Sequence, residues 1–293
     1  MKILPYIQDA YRHRGLKRAL LFGVNALRQP TLAREWFDYL ANGMPPGMPE
    51  ILRSNLVQKI FRPYLRRRFN ARQRMEILRA HYSLFGAKFP PTALATLLQQ
   101  PGMRLATLTG KSGQTYSVYL GNSTSKEGEA DIFYMDDRAD APLTTLTGVF
   151  APDGFYIGGL RGIKPPLGKT EIVHATRDLH GLRPKHAALH ATCAIAEWFG
   201  ATAIIAPEQR NHITFHSFGY LGFASREILA DYNAFWEEFS SARRADGDYV
   251  LPTQLPRREA EDVKSKKRSE WLKRQGHLDE MTRQIVKTLN GSR

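Results

Sequence analysis

Twelve residues, LHGLRPKHAALH (179–190), place Arg183, Lys185 and three histidines, His180, His186 and His190, at the opening of an apolar helical run. Pro184 is suited to the first helical position, where its missing N–H costs nothing. No Ser, Thr, Asp or Asn stands just ahead of it to cap the first turn. The free N–H groups and the positive end of the helix dipole then face whatever lies in front, which is the arrangement that binds phosphate. Arg183 and Lys185 add charge there. Arg161 in GGLRG and Arg177 could join them, because the Gly-Gly pair beside Arg161 permits close backbone approach. An ordinary helix start, capped by Asp178 or by water, is the competing reading.

Further along the helix, His186, His190 and Glu197 fall within an arc of roughly 80° that also holds Leu182 and Cys193, at about 100° per residue. They form one polar stripe on a helix that is otherwise apolar nearly all round. Two histidines four residues apart can share a metal ion. Glu197, however, lies roughly 10 Å along the axis from His190, too far for the same coordination shell. His212 and His216 are the only other obvious donors, and structural histidines are commoner, so no metal is expected. The one cysteine, Cys193, excludes an intramolecular disulfide and a multi-cysteine zinc site, and its apolar surroundings make it a core residue.

These groups have to be held by an α/β (α+β) chain of 293 residues. Residues 1–92 read as a basic helical region, with ARQRMEILRAHYSLF (71–85) at helical spacing. Residues 93–240 read as a mixed α/β core: short alternating strands at 103–109, 114–120, 131–135, 143–150 and 154–162, a helix near 170–179, the helix from Pro184 to Phe199, and a buried strand at 202–206. KSGQ (111–114) and APDG (151–154) supply turns. Residues 241–293 read as a charged helical tail packed back on the core.

The net charge of +14 belongs to the ends. Residues 1–90 carry 17 Lys/Arg against 5 Asp/Glu, and residues 240–293 carry 13 against 8, whereas 91–239 carry 12 against 15. That distribution argues against a uniformly basic nucleic-acid domain, though basic arms on DNA or RNA remain an alternative. Around 8–27, leucines alternate with Arg12, Arg14, Lys17 and Arg18, a basic amphipathic pattern suited to an anionic membrane surface. The solvated face of a core helix is the other reading. No stretch is long and apolar enough to span a bilayer, and ALLFGVNAL (19–27) lacks a cleavage site, so a cytoplasmic chain, peripheral at the inner membrane, is expected.

The succession strand, helix, strand, then EQRNHI (208–213) and GYLGF (219–223), resembles the acyl-CoA-binding half of GNAT acyltransferases, with Asn211 and Gly222-Phe223 in matching places. That resemblance implies acyl-CoA as a cofactor. The family's glycine-containing phosphate turn is replaced here by RPKHAA, which counts against an ordinary acyl-CoA site. A second resemblance covers FYIGGLRG, HGLRPKH, PEQRNH, DYNAFWEEF and VKSKKRSEWLKR, which occur in that order as in the VirK/YbjX family of Gram-negative bacteria. It implies a link to virulence, stress response and resistance to envelope-directed peptides, and it supplies no catalytic residue. Together these readings point to a phosphorylated-ligand-binding protein, with acyl transfer as the reaction the GNAT likeness implies. A nucleic-acid-binding stress protein and a non-catalytic scaffold are the alternatives.

Overall fold

The computed structural model describes residues 15–292 apart from 47, 49–54, 140–141, 166, 216–230 and 240. His216, the GYLGF segment and the arginines at 12 and 14 therefore lie outside the described residues.

Among the described residues, eight strands form one sheet in the order β1-β2-β3-β4-β5-β6-β8-β7. The first five, β1 (Met103–Thr109), β2 (Thr115–Asn122), β3 (Ala130–Asp136), β4 (Thr144–Ala151) and β5 (Gly154–Gly162), are an antiparallel meander. Tight turns at 110–114 and 151–154 join the first and last pairs, as their glycines require. β4 is buried along its whole length, so the centre of the sheet is covered on both faces.

After β5 the chain makes two helices, α5 (Lys169–Asp178) and α6 (Pro184–Phe199), before returning as β6 (Ala203–Ala206), parallel to β5. A crossover of this kind is what a parallel neighbour demands. The sheet then gains β7 (Ala242–Arg243) and β8 (Tyr249–Pro252), of two and four residues. These strands interrupt a segment whose charge reads as helical; they are too short to show period-two alternation.

Helices α1 (Leu16–Arg28), α2 (Pro30–Asp38), α3 (Ala71–Lys88) and α4 (Pro91–Leu98) precede the sheet. Asn70 caps α3 by accepting from Gln73 N at 3.0 Å, while the Gln73 side chain accepts from Asn70 N at 2.9 Å. Phe85 of α3, Phe89 just past its end, Phe150 of β4 and Phe199 of α6 interlock, with ring centroids 4.1–5.8 Å apart, so helices and sheet share one core. The tail is a single helix, α8 (Ser265–Gly291), packed along β1 and α6. Its Gln284 accepts from Thr107 N at 2.8 Å and donates to Thr107 O at 3.1 Å, which closes the exposed edge of β1.

Two buried ion pairs tie the first 70 residues to the sheet. Lys59 pairs with Glu129, which also accepts from the hydroxyls of Tyr64 and Tyr82. Arg66, fully buried, pairs with Asp248 and donates to the carbonyls of Ile157 and Ile205. β5 and β6 pair only at Phe155↔Ile204 and Tyr156↔Ile205. The Arg66 guanidinium thus supplies donors where the two parallel strands part.

Candidate functional site

The cleft begins where α6 begins. Arg183 occupies the N-cap position with extended backbone, no side chain caps the first turn, and Pro184 is the first helical residue. At the other end, Gly200 takes a left-handed φ of 88° and donates to Glu197 O at 2.9 Å, ending the helix. The uncapped start opens on a cleft of about 840 Å³ between α5, α6 and α7 (Tyr232–Glu237). Asp178 does not act as its cap. Its carboxylate accepts from Ser112 N at 2.8 Å, Ser112 Oγ at 3.0 Å and the Tyr116 hydroxyl at 3.0 Å, fastening the end of α5 to the β1–β2 turn.

Lys169, Arg177, Arg183 and Lys185 ring the cleft, and Leu143, Ile163, Ile172, Val173 and Phe235 supply apolar wall. Lys169, Ile172, Val173 and Thr176 lie three and four residues apart, so one face of α5 forms that side. Lys169, Arg177 and Lys185 make no hydrogen bond or ion pair among the described residues. Lys185 is half-buried, and desolvation alone lowers its pKa, with no carboxylate to offset it. Arg183 donates to Glu238 at 2.8 Å, and the same carboxylate oxygen stands 3.2 Å from His186 Nε2. Burial first, then Arg183 and Arg274, push His186 down to about 4, so it is neutral at pH 7 and rests against Phe235 and Phe239. Four cations against the carboxylates of Asp231 and Glu238 leave the lining net positive, and an anion would relieve it.

Four of the residues read from the sequence converge here: Arg177, Arg183, Lys185 and His186. Arg161 does not join them. Its guanidinium faces the carboxylates of Glu127 at 3.5 Å and Asp131 at 3.4 Å and donates to Thr147 Oγ1 at 2.9 Å. The glycines before it admit protein rather than ligand: a Cβ on Gly158 would collide with the Glu127 carbonyl, and one on Gly159 would sit 2.7 Å from its carboxylate. Gly158 is also the extra residue of a bulge, opposite the step from Thr147 to Gly148. Asn211 is elsewhere too, buried and donating to Asp248 Oδ1 at 2.8 Å.

The polar stripe on α6 is divided. His190 and Glu197 line a separate recess of about 380 Å³ with Cys193, Gln254 and Arg257, and Gln254 donates to Glu197 at 3.0 Å. Burial holds His190 at about 4. No group of three or more metal-donor side chains occurs among the described residues. Sequence reasoning missed Lys169, Phe235 and Glu238 at the cleft, and also Arg274 of α8, which adds positive potential at His186 and Arg183. The repeat of Lys169, Ile172, Val173 and Thr176 was the available signal; nothing local pointed to Arg274.

A family described as "Protein of unknown function (DUF535)" matches residues 12–287, nearly the whole chain. The chain belongs to this DUF535 family. A relative within reach is the "Uncharacterized protein YbjX" of Escherichia coli (strain K12), 32% identical over 278 residues, covering 92% of this chain and 83% of the relative. A second, an "Uncharacterized protein" of Haemophilus influenzae, is 25% identical over 219 residues, 75% of this chain and 72% of the relative. No solved structure matches. The DUF535 match takes in both the cleft and the buried Arg66–Asp248 pair.

Proposed function

We propose that this DUF535 chain binds a phosphorylated small molecule with an apolar portion in the cleft ahead of α6. The phosphate lies against the free first-turn N–H groups, with Lys185, Arg177 and Lys169 around it, and the apolar portion lies between Ile172, Val173 and Phe235. The observation that carries this reading is the uncapped start of α6 opening on a cleft whose half-buried Lys185 has no acidic partner. An envelope-stress setting, implied by the family resemblance, is where we place this activity.

Acyl transfer is the finer reading. The parting of β5 from β6 and the bulge at Gly158 favour it, since together they leave a gap in the sheet. Against it stand the missing glycine turn and the Tyr232 hydroxyl, which lies 3.2 Å from both Leu160 N and Leu160 O in that gap. A ligand entering there would have to displace Tyr232.

Isothermal titration with pyrophosphate, a phosphorylated amphiphile and an acyl-CoA tests both readings. Binding that weakens at least about tenfold in Lys185→Ala, a change of about 1.4 kcal/mol, supports the cleft. No binding to any of the three would overturn it, and binding of the first two without the acyl-CoA would remove acyl transfer.

A further inference from the structure

Among the described residues, eight large apolar side chains are exposed, and five of them, Leu16, Leu20, Leu21, Val24 and Leu27, lie on α1. Their exposures run from 46 to 63%. The opposite face of the helix is committed to the core: Ala19, Phe22 and Ala26 are buried, with Phe22 edge-on to Phe37 and Phe61. The leucine row is thus held outward by an anchored helix. At about 100° per residue, Leu16, Leu20, Val24 and Leu27 share an arc of about 80°, with Lys17 and Arg28 between Val24 and Leu21. These two exposed cations stand at opposite ends of the helix, and α1 carries no Asp or Glu.

We propose that this face of α1 docks on an anionic lipid bilayer, lying in the plane of the surface with its leucines at the acyl boundary. An apolar row flanked along one side by cations and free of acids is complementary to an anionic interface. Lys17 and Arg28 have aliphatic stems that lie along the apolar layer while their charges reach the headgroups. The surrounding chain reinforces this, since residues 1–90 carry 17 Lys/Arg against 5 Asp/Glu. A second copy of the chain is a poorer occupant. Two-fold contact would bring Lys17 and Arg28 of one copy against the same two cations of the other, with no acid on α1 to answer them. This surface is separate from the cleft and does not depend on what the cleft binds.

The test is co-sedimentation of the full chain with vesicles of phosphatidylcholine, with and without about one third phosphatidylglycerol. Wild type is expected to bind the anionic vesicles at low ionic strength and to be released by salt. Leu20→Gln with Leu27→Gln should weaken binding at least about tenfold, and Lys17→Ala or Arg28→Ala about fivefold each. The leucine variant should keep wild-type thermal stability and pyrophosphate affinity, because neither leucine touches the core or the cleft. Failure of wild type to bind the anionic vesicles would overturn the proposal. So would a leucine variant that binds them as tightly as wild type, or one whose only change is conversion of a dimer to a monomer.

Discussion

Arg183 and Glu238 face each other across the mouth of the cleft, 2.8 Å apart, and among the described residues Glu238 is the acid that pairs with a cation of the helix start. The pair is exposed, so it is weak, and it competes directly with an incoming anion. Glu238→Gln is therefore expected to tighten pyrophosphate binding, by up to about fivefold, the scale of an exposed pair. Titration calorimetry of the variant beside wild type checks this. Unchanged or weaker binding would mean that Arg183 is not part of the site.

Among the described residues, His81 and His212 are buried and His186 and His190 largely so, all four neutral at pH 7, and the fold is therefore expected to lose stability in acid. Unfolded, each titrates near 6.5; burial holds His81 at about 3 and His186, His190 and His212 at about 4. The folded values are depressed, so the unfolded chain takes up more protons as pH falls. Stability is then full well above pH 6.5 and declines as pH falls towards 4, each histidine contributing at most about 1.4 kcal/mol per pH unit. Glu127 and Asp131, raised by burial, act in the opposite direction near the lower end. Urea unfolding between pH 7 and pH 4.5 should show the decline, and His81→Phe should flatten it. A flat profile would contradict it.

Removing one member of the Lys59–Glu129 pair leaves a charge uncompensated in the core. Glu129→Gln is expected to cost about 3–5 kcal/mol, read by urea unfolding. The double variant Lys59→Met Glu129→Gln should recover much of that, because the glutamine oxygen still accepts from one of the two tyrosine hydroxyls and its amide N–H can donate to the other. Additive losses in the double variant would show that the two charges are not coupled.

Cys193 is buried at the floor of the recess it shares with Glu197, 3% exposed, and burial pushes its thiol well up from the usual range. With so little thiolate, it should not react with a disulfide reagent in the folded protein and should titrate as one thiol per chain in denaturant. Rapid labelling of the native protein would mean that the recess beside Glu197 opens.

The meander was legible because period-two alternation and glycine turns are local properties. β1 and β5 run over the residues that alternation predicts, Met103–Thr109 and Gly154–Gly162. The start of α6 was legible for the same reason: Pro184 and the missing cap are adjacent in sequence. What could not be read depended on distant partners. The Gly-Gly pair before Arg161 answers a loop residue, Glu127, some thirty positions away. Asn211 answers Asp248. The helical wheel placed His186, His190 and Glu197 in one stripe, yet α7 covers the first and the segment at 253–257 covers the others. A wheel gives direction around the axis and nothing about which segment lies at each height.

The buried guanidinium of Arg66 bears on how this chain divides. It meets carbonyls from β5 and β6 where the parallel ladder ends, while its partner Asp248 sits beside β8. One side chain from the basic N-terminal stretch thus joins strands contributed by the middle and the end of the sequence. Cutting the chain after the helical region would therefore not release a smaller α/β domain. It would leave two bare carbonyls and a stranded carboxylate inside the sheet, so the three stretches stand or fall together as one cooperative unit.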